Sequence, residues 1–154
     1  MKRQRILASV TVFLAGAALA LAADPQAGTW KLNEGKSKVD PMIGKNSTVV
    51  WAAAGDSVKV TIDGVDKDGK ATHNEWTGKV DGKDYPVTGD SNSDTRSYKK
   101  VDDRTLQFVG KKSGKTIISG TVVISADGKT RTANASGTDT SGKAVSSTLV
   151  YDKQ

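Results

Sequence analysis

Apolar and polar residues alternate in short runs along most of the chain after residue 27, and glycine-containing turns separate the runs. The clearest run is 57–63, where Val58, Val60 and Ile62 share one parity and polar residues hold the other. A period of two indicates a strand with one buried face. No convincing run after residue 22 has the period of an amphipathic helix, so the pattern predicts an all-β domain.

Three turn signals in the last third of the chain recur at an even interval. Ser113-Gly114, Asp127-Gly128 and Ser141-Gly142 are each followed by lysine, and successive signals are 14 residues apart. Glycine after Ser or Asp supplies the positive φ that a tight hairpin turn needs. The interval therefore predicts consecutive antiparallel strands of about ten residues joined by tight turns.

The whole pattern predicts nine or ten strands in meander order. They span residues 28–33, 47–54, 57–63, 71–80, 85–88, 94–101, 105–111, 115–126, 130–139 and 144–153. Residues 34–46 are polar and interrupted by Gly35, Pro41 and Gly44, which predicts a loop with one helical turn at 41–44. Sequential hairpins favour an antiparallel up-and-down meander β-barrel of eight to ten strands over a Greek-key sandwich.

Residues 1–22 have the features of a bacterial signal peptide. Lys2, Arg3 and Arg5 precede an uncharged apolar run of 16 residues, and Ala20-Leu21-Ala22 matches the small-x-small cleavage pattern. The run is shorter than the roughly 20 residues that a membrane-spanning helix needs. We therefore expect export to the periplasm or the medium, with residues 23–154 forming a single β-barrel domain.

The net charge of the chain is small once the signal peptide is removed. Cleavage after Ala22 leaves 20 basic against 17 acidic residues, a net charge of +3, and the lysines are dispersed. Such a modest surplus does not indicate binding to nucleic acid. There is no cysteine, so no disulfide assists folding. We expect a monomer with no nucleic-acid partner and no integral membrane span after cleavage.

Candidate catalytic and metal-binding chemistry is sparse. His73 is the only histidine and shares a strand face with Glu75 and Lys79, which favours a solvent-exposed side chain, while a role as a single haem ligand stays open. The acidic residues of 63–75 fit an EF-hand loop in part, but Gly64 would take the first ligand position, so we interpret them as a hairpin loop. No serine lies in a nucleophile elbow. We expect neither an enzyme nor a bound metal or cofactor.

Large side chains on separate strands are the candidates for a ligand site in the barrel interior. In a closed barrel these residues line one space, which is either a ligand cavity or an ordinary core. Ten strands leave more room than eight. Gly78, Gly110 and Gly120 and the small side chains of 130–139 favour such room. The candidate residues are Trp30, Trp51, Trp76, Tyr98, Phe108, Leu149 and Tyr151.

Both ends of the predicted barrel resemble calycins. Residues 28–32, Gly-Thr-Trp-Lys-Leu, resemble the opening strand of fatty-acid-binding proteins and contain the Gly-Xaa-Trp signature of lipocalins, and residues 147–153 resemble the closing strand of fatty-acid-binding proteins. The chain is also similar to small exported bacterial proteins of lipocalin-like type. The resemblance implies a barrel that binds a small apolar or amphipathic molecule without catalysis. The alternative is a structural or interaction protein of the cell envelope, with a packed barrel and no ligand.

The closing strand departs from the fatty-acid-binding pattern at one position. That family has Arg-Xaa-Tyr, whose Arg and Tyr hold the ligand carboxylate, whereas this chain has Leu149-Val150-Tyr151. Only the tyrosine carries over. Arg131 shares its parity with Ala133, Ala135 and Gly137, so the sequence leaves open whether its side chain points into the barrel. If it points outward, we expect neutral apolar ligands to bind better than fatty acids, because no cation offsets burial of the carboxylate.

Export predicts where the mature chain begins. N-terminal sequencing of protein recovered from the periplasm of a bacterial host should start at Ala23 or within a few residues of it. Recovery from the cytoplasm with Met1 intact would contradict the prediction.

Overall fold

Ten antiparallel strands close into one barrel. A computed structural model describes residues 23–154, and each strand pairs with the next in sequence while the last pairs with the first. The predicted fold class is confirmed, and the predicted signal peptide at 1–22 lies outside the described residues. No helix in this part of the chain has the length and apolarity needed to cross a membrane. The strands are β1 Gly28–Leu32, β2 Lys45–Ala54, β3 Ser57–Val65, β4 Ala71–Gly78, β5 Tyr85–Thr88, β6 Thr95–Asp102, β7 Thr105–Lys112, β8 Lys115–Ile124, β9 Thr130–Thr138 and β10 Ala144–Lys153.

The predicted hairpin turns are confirmed. Gly114, Gly128 and Gly142 have φ values of 76°, 72° and 82°, in the left-handed region that glycine enters at little steric cost. Aspartates complete two of these turns, because the Asp127 and Asp139 carboxylates each accept a backbone N–H two or four residues later at 3.0 Å. The 14-residue interval therefore reflects a repeated turn chemistry.

The connection between β1 and β2 differs from the prediction. Its helical turn is a 3-10 helix at Glu34–Lys36, not at residues 41–44, which form only a tight turn. Asn33 explains the position, since its side-chain oxygen accepts the backbone N–H of Lys36 at 3.2 Å and so caps the short helix. Beyond it, Lys38 forms an isolated antiparallel bridge with Thr148 on β10.

Alternating strand direction gives the barrel two distinct ends. The N-terminal end carries residues 23–27 and the C-terminus, and the loop end carries the 33–44 connection and the 89–94 loop. Hydrogen bonds from two indole side chains hold residues 24–27 against the N-terminal end of the barrel. Trp30 Nε1 donates to the Gln26 carbonyl and Trp51 Nε1 donates to Asp24 Oδ2, both at 2.9 Å. Residues 24–27 thus cover part of this end.

Trp30 lies where the first and last strands meet. It is opposite Val49 on β2 and Lys153 on β10, and its side chain is fully buried. The Lys153 ammonium lies 5.4 Å from the centroid of the Trp30 ring, within range of a cation–π contact. The Gly-Xaa-Trp pattern predicted that Trp30 is buried beside the last strand, and the structure confirms this position. The architecture is a closed, ten-stranded antiparallel meander barrel.

Truncation of Trp30 should destabilise the barrel strongly. We expect Trp30→Ala to lower the free energy of unfolding by about 3–5 kcal/mol, because it removes a fully buried indole and its hydrogen bond. Urea unfolding followed by circular dichroism measures the change. Val101→Ala, on an exposed side chain of β6, is the matched control and should change stability little. A loss below about 1 kcal/mol for Trp30→Ala would contradict this role.

Candidate functional site in the barrel interior

An aromatic cluster fills much of the barrel interior. Tyr98 lies at its centre, with ring centroids 5.2 Å from Trp51 and 4.9 Å from Trp76 in edge-to-face geometry. Phe108 is 6.5 Å away and only partly buried. The structure therefore brings the predicted residues into one interior, and their role in ligand binding stays a prediction. The buried members of the predicted set are Trp30, Trp51, Trp76, Tyr98, Leu149 and Tyr151.

The glycines on β4, β7 and β8 do not provide room for a ligand, so that part of the prediction was wrong. A Cβ atom at Gly78 would lie 2.5 Å from the Tyr85 ring, and one at Gly110 would lie 2.7 Å from the Ile118 side chain. At Gly120 it would meet the backbone carbonyl of Asn134. Neighbouring atoms already occupy these positions. The glycines allow close approach between strands and side chains, which sequence reasoning mistook for empty space.

Arg131 points into the barrel, which settles the direction that the sequence left open. It is opposite Tyr151 in the pairing of β9 with β10, and its guanidinium carbon lies 5.3 Å from the Tyr151 ring centroid. The residue is 4% exposed. β9 thus supplies a cation beside the tyrosine of the closing strand. The expectation that neutral ligands bind better than fatty acids required Arg131 to point outward. Because Arg131 points inward, that expectation no longer applies.

The charge of Arg131 has no counterion among residues 23–154. It forms no salt bridge in this range, and its Nε atom has no hydrogen-bond partner there. Burial lowers the pKa of Arg131, Tyr151 and Tyr98 oppose that effect, and the charge of Arg96 adds to it. Arginine nevertheless keeps its proton in proteins. The interior therefore holds a cation whose charge the folded barrel disfavours.

Tyr151 can donate a hydrogen bond beside this cation. Burial raises the pKa of Tyr151 to about 12, and the charge of Arg131 offsets part of the rise. The phenol is therefore protonated at neutral pH. Together, the guanidinium and the phenol place donors on adjacent strands at the N-terminal end of the barrel.

Arg96 is a second buried cation, and sequence reasoning missed its role. Its Nη2 atom lies 3.2 Å from both Asn74 Oδ1 and Asp90 Oδ2. Asp90 also accepts a hydrogen bond from Ser93, so this cluster attaches the 89–94 loop to the barrel. The Nη1 atom of Arg96 has no partner within residues 23–154. Arg96 and buried Tyr98 are two residues apart on β6 and therefore share a strand face. This spacing could have predicted from the sequence that Arg96 is buried.

Gln26, at the N-terminal end, is the third buried side chain of the described range that has unpaired polar atoms. Gln26 is 2% exposed, and neither its amide nitrogen nor its amide oxygen has a hydrogen-bond partner in the described chain. Buried polar atoms in proteins are almost always paired. Gln26, Arg96 and Arg131 thus leave hydrogen-bonding capacity inside the molecule that residues 23–154 do not use.

Two grooves of about 430 and 490 Å³ lie on the outer surface of β8, β9 and β10. Ser136 and Ser146 line both grooves, and they have the opposite parity to buried Ala135 and Val145. Most other lining side chains are also small, and many carry hydroxyls. None of the predicted interior aromatic residues lines either groove. These grooves therefore differ in place and polarity from the apolar interior site that the sequence predicted.

His73 lies on the outer face, as predicted. Its Nδ1 atom is 2.6 Å from Asp63 Oδ1, and this hydrogen bond raises the pKa of His73. The partly matching EF-hand segment forms a hairpin turn, in which Asp66 accepts the backbone N–H groups of Asp68 and Lys70. Within residues 23–154, no group of three or more His, Asp and Glu side chains is arranged to hold a metal.

Comparisons with known proteins assign the chain to no sequence family. No protein-family model matches the chain, and no curated protein matches it in sequence. Among solved structures, lobster apocrustacyanin A1 is similar with a TM-score of 0.45 and 13% identity, over 86% of this chain and 63% of that chain. A redesigned β-barrel, mFAP1, solved bound to DFHBI, is similar with a TM-score of 0.40 and 16% identity, over 81% and 94%. The matched region is less than two thirds of the apocrustacyanin chain.

Proposed function

We propose that this protein is an exported calycin-like barrel that binds a small amphipathic molecule in its interior without catalysis. The observation that carries the proposal is Arg131, a buried guanidinium that has no counterion among residues 23–154 and lies in an apolar interior with a cluster of aromatic side chains. The predicted signal peptide at residues 1–22 supports export.

The cost of burying Arg131 is the first argument for a ligand. An unpaired buried charge destabilises a folded protein, and neutral side chains of similar volume are usually more stable in its place. Residues that oppose stability in this way are typical of functional sites. A ligand with a polar or charged group would supply the partner that residues 23–154 do not.

The aromatic surroundings favour a ligand that also has an apolar part. Trp51, Trp76 and Tyr98 form a continuous aromatic cluster in the same interior, and partly buried Phe108 extends it. Such rings provide a large apolar contact area. A molecule with a polar group beside Arg131 and an apolar part against these rings would use both features.

Binding without chemistry agrees with where the titratable side chains lie. His73 lies outside the barrel, paired with Asp63, and Arg131 and Tyr151 in the interior both stay protonated at neutral pH. A general base must be able to accept a proton near the operating pH. We therefore assign these interior groups to binding.

A packed barrel that acts through its outer surface is the second candidate. The filled glycine positions at Gly78, Gly110 and Gly120 favour it, because they reduce the space for a ligand inside. The grooves on β8, β9 and β10 offer an outer surface for contact with another envelope component. The presence or absence of a bound small molecule separates the two candidates.

Native mass spectrometry of the protein purified from the periplasm tests the proposal. We expect a species heavier than the chain 23–154 by the mass of one small molecule, and the extra mass should disappear when the protein is unfolded. The same chain refolded from denaturant is the control. If the purified protein has only the mass of the bare chain, and stays so after incubation with a periplasmic extract, the interior does not function in binding.

A further inference from the structure

We infer that two copies of this chain associate through the outer face of β8, β9 and β10, with each copy presenting the same uncharged surface to the other. Association of this kind goes beyond the proposed function and needs no interior ligand. It replaces the expectation of a monomer, because the strand register shows how the outward side chains are arranged.

Outward side chains on these three strands form rows that cross the face. Strand pairing places Ser136 of β9 opposite Ser119 of β8 and Ser146 of β10, so one row consists of three serines. Thr148 Oγ1 donates to Asn134 Oδ1 at 3.0 Å within the adjacent row. The three rows form a continuous surface of short, uncharged side chains. The two rows toward the N-terminal end consist of Thr121, Asn134 and Thr148, and of Val123, Thr132 and Val150.

Charged side chains lie on other parts of the outer wall. Lys59 Nζ is 3.1 Å from Glu75 Oε1 on β3 and β4, and Lys111 Nζ on β7 is 2.7 Å from Asp84 Oδ2. Charged residues make up 26% of the chain, so the nine positions of the three rows would carry about two charges if charges were evenly spread. Of the residues that line the two grooves, only Lys38 is charged, and it lies at the edge of the face. An uncharged centre with a polar rim is typical of protein–protein interfaces.

The face is complementary to a copy of itself. Hydroxyl and amide groups both donate and accept hydrogen bonds, so a row of them can pair with the same row of another copy. A charged molecule would lose its water on this face without gaining an opposite charge, which disfavours nucleic acid, anionic lipid and charged peptides. Two-fold symmetric dimers use one patch twice, so that patch has to be self-complementary. A second copy of the chain meets these conditions.

Packing of one sheet face on another is the contact that a closed barrel allows. Each strand has a paired neighbour on both sides, so association does not proceed by adding a strand to a free sheet edge. Facing sheets pack about 10 Å apart when their side chains interdigitate. The two grooves adjoin at Ser136 and Ser146 and provide space for the side chains of the other copy. Val123, which is 38% exposed, adds apolar surface to the same face.

The size of the face predicts a weak dimer. The nine residues of β9 span about 30 Å, and three strands with their flanks are about 14 Å wide. Standard stable interfaces bury about 800 Å² on each partner, and a face of this size provides at most about that area. We therefore expect association at micromolar rather than nanomolar concentrations.

Sedimentation velocity of the chain 23–154 tests the inference. Between about 5 μM and about 500 μM protein, we expect the average mass to rise from that of one chain toward that of two. Added salt should not weaken the association, because the buried surface carries no charge that salt could screen. A dimer that dissociates in salt would be held together by the charged part of the outer wall, which would overturn the inference.

Charges introduced at Ser136 identify the face. Ser136 is exposed near the middle of the central strand, so a two-fold axis through the face brings its two copies close together. Ser136→Lys and Ser136→Glu should each lower the association constant about tenfold or more, because like charges then meet. An equimolar mixture of the two variants should dimerise again, because the charges are opposite. Thr77→Lys and Thr77→Glu, at an exposed position on β4, are the matched controls and should dimerise like the unaltered protein.

The opposite results contradict the inference in different ways. The mass of one chain at every concentration would exclude a second copy as the occupant of this face. If that monomer sediments with an insoluble neutral polysaccharide, the face binds a polysaccharide instead. Equal loss of association in the Ser136 and Thr77 variants would place the interface elsewhere on the barrel. The concentration series of the unaltered protein decides the matter even if a variant fails to fold, and native mass spectrometry tests the interior ligand separately.

Discussion

Backbone pairing between β1 and β10 converts a meander of hairpins into a closed barrel, and the properties of the interior depend on that closure. Leu32 is paired with Tyr151 across this seam, and Trp30 lies beside Lys153. The other edge of β10 places Tyr151 opposite Arg131. If the seam were open, water would reach this tyrosine and arginine. Closure is therefore what makes the arginine a buried charge, and Trp30 contributes a fully buried indole at the seam.

The interior combines a strongly stabilising feature with a destabilising one. Edge-to-face packing of Tyr98 on Trp51 and Trp76 buries large apolar surfaces in favourable geometry. Arg131, in the same interior, introduces a charge that the desolvated environment disfavours. A sequence that served stability alone would not need this arginine. The ligand that we propose would account for it, because it would supply the partner that residues 23–154 do not provide.

The sequence predicted the fold well because its signals were local. Alternation within each run and glycine in each turn define strands whose observed ends lie within about two residues of the expected ones. The structure corrected what depends on distant neighbours. β9 has no large apolar residue to mark its inward face, so the direction of Arg131 could be known only from its packing against β10. The role of Gly120 likewise depends on the position of Asn134 on the neighbouring strand. The partners of Arg96 are Asn74 on another strand and Asp90 in a loop, so no spacing in the sequence could have predicted them.

The central claim is that a bound small molecule supplies the missing partner of Arg131 inside the barrel. A crystal structure of the protein purified from the periplasm, at a resolution that shows ordered water, tests it most directly. The account predicts density larger than a water molecule, with an acceptor atom about 2.7–3.2 Å from Arg131 Nε and an apolar part directed toward Tyr98 and Phe108. Density for water alone at that nitrogen, in protein that was never stripped of small molecules, would contradict the account.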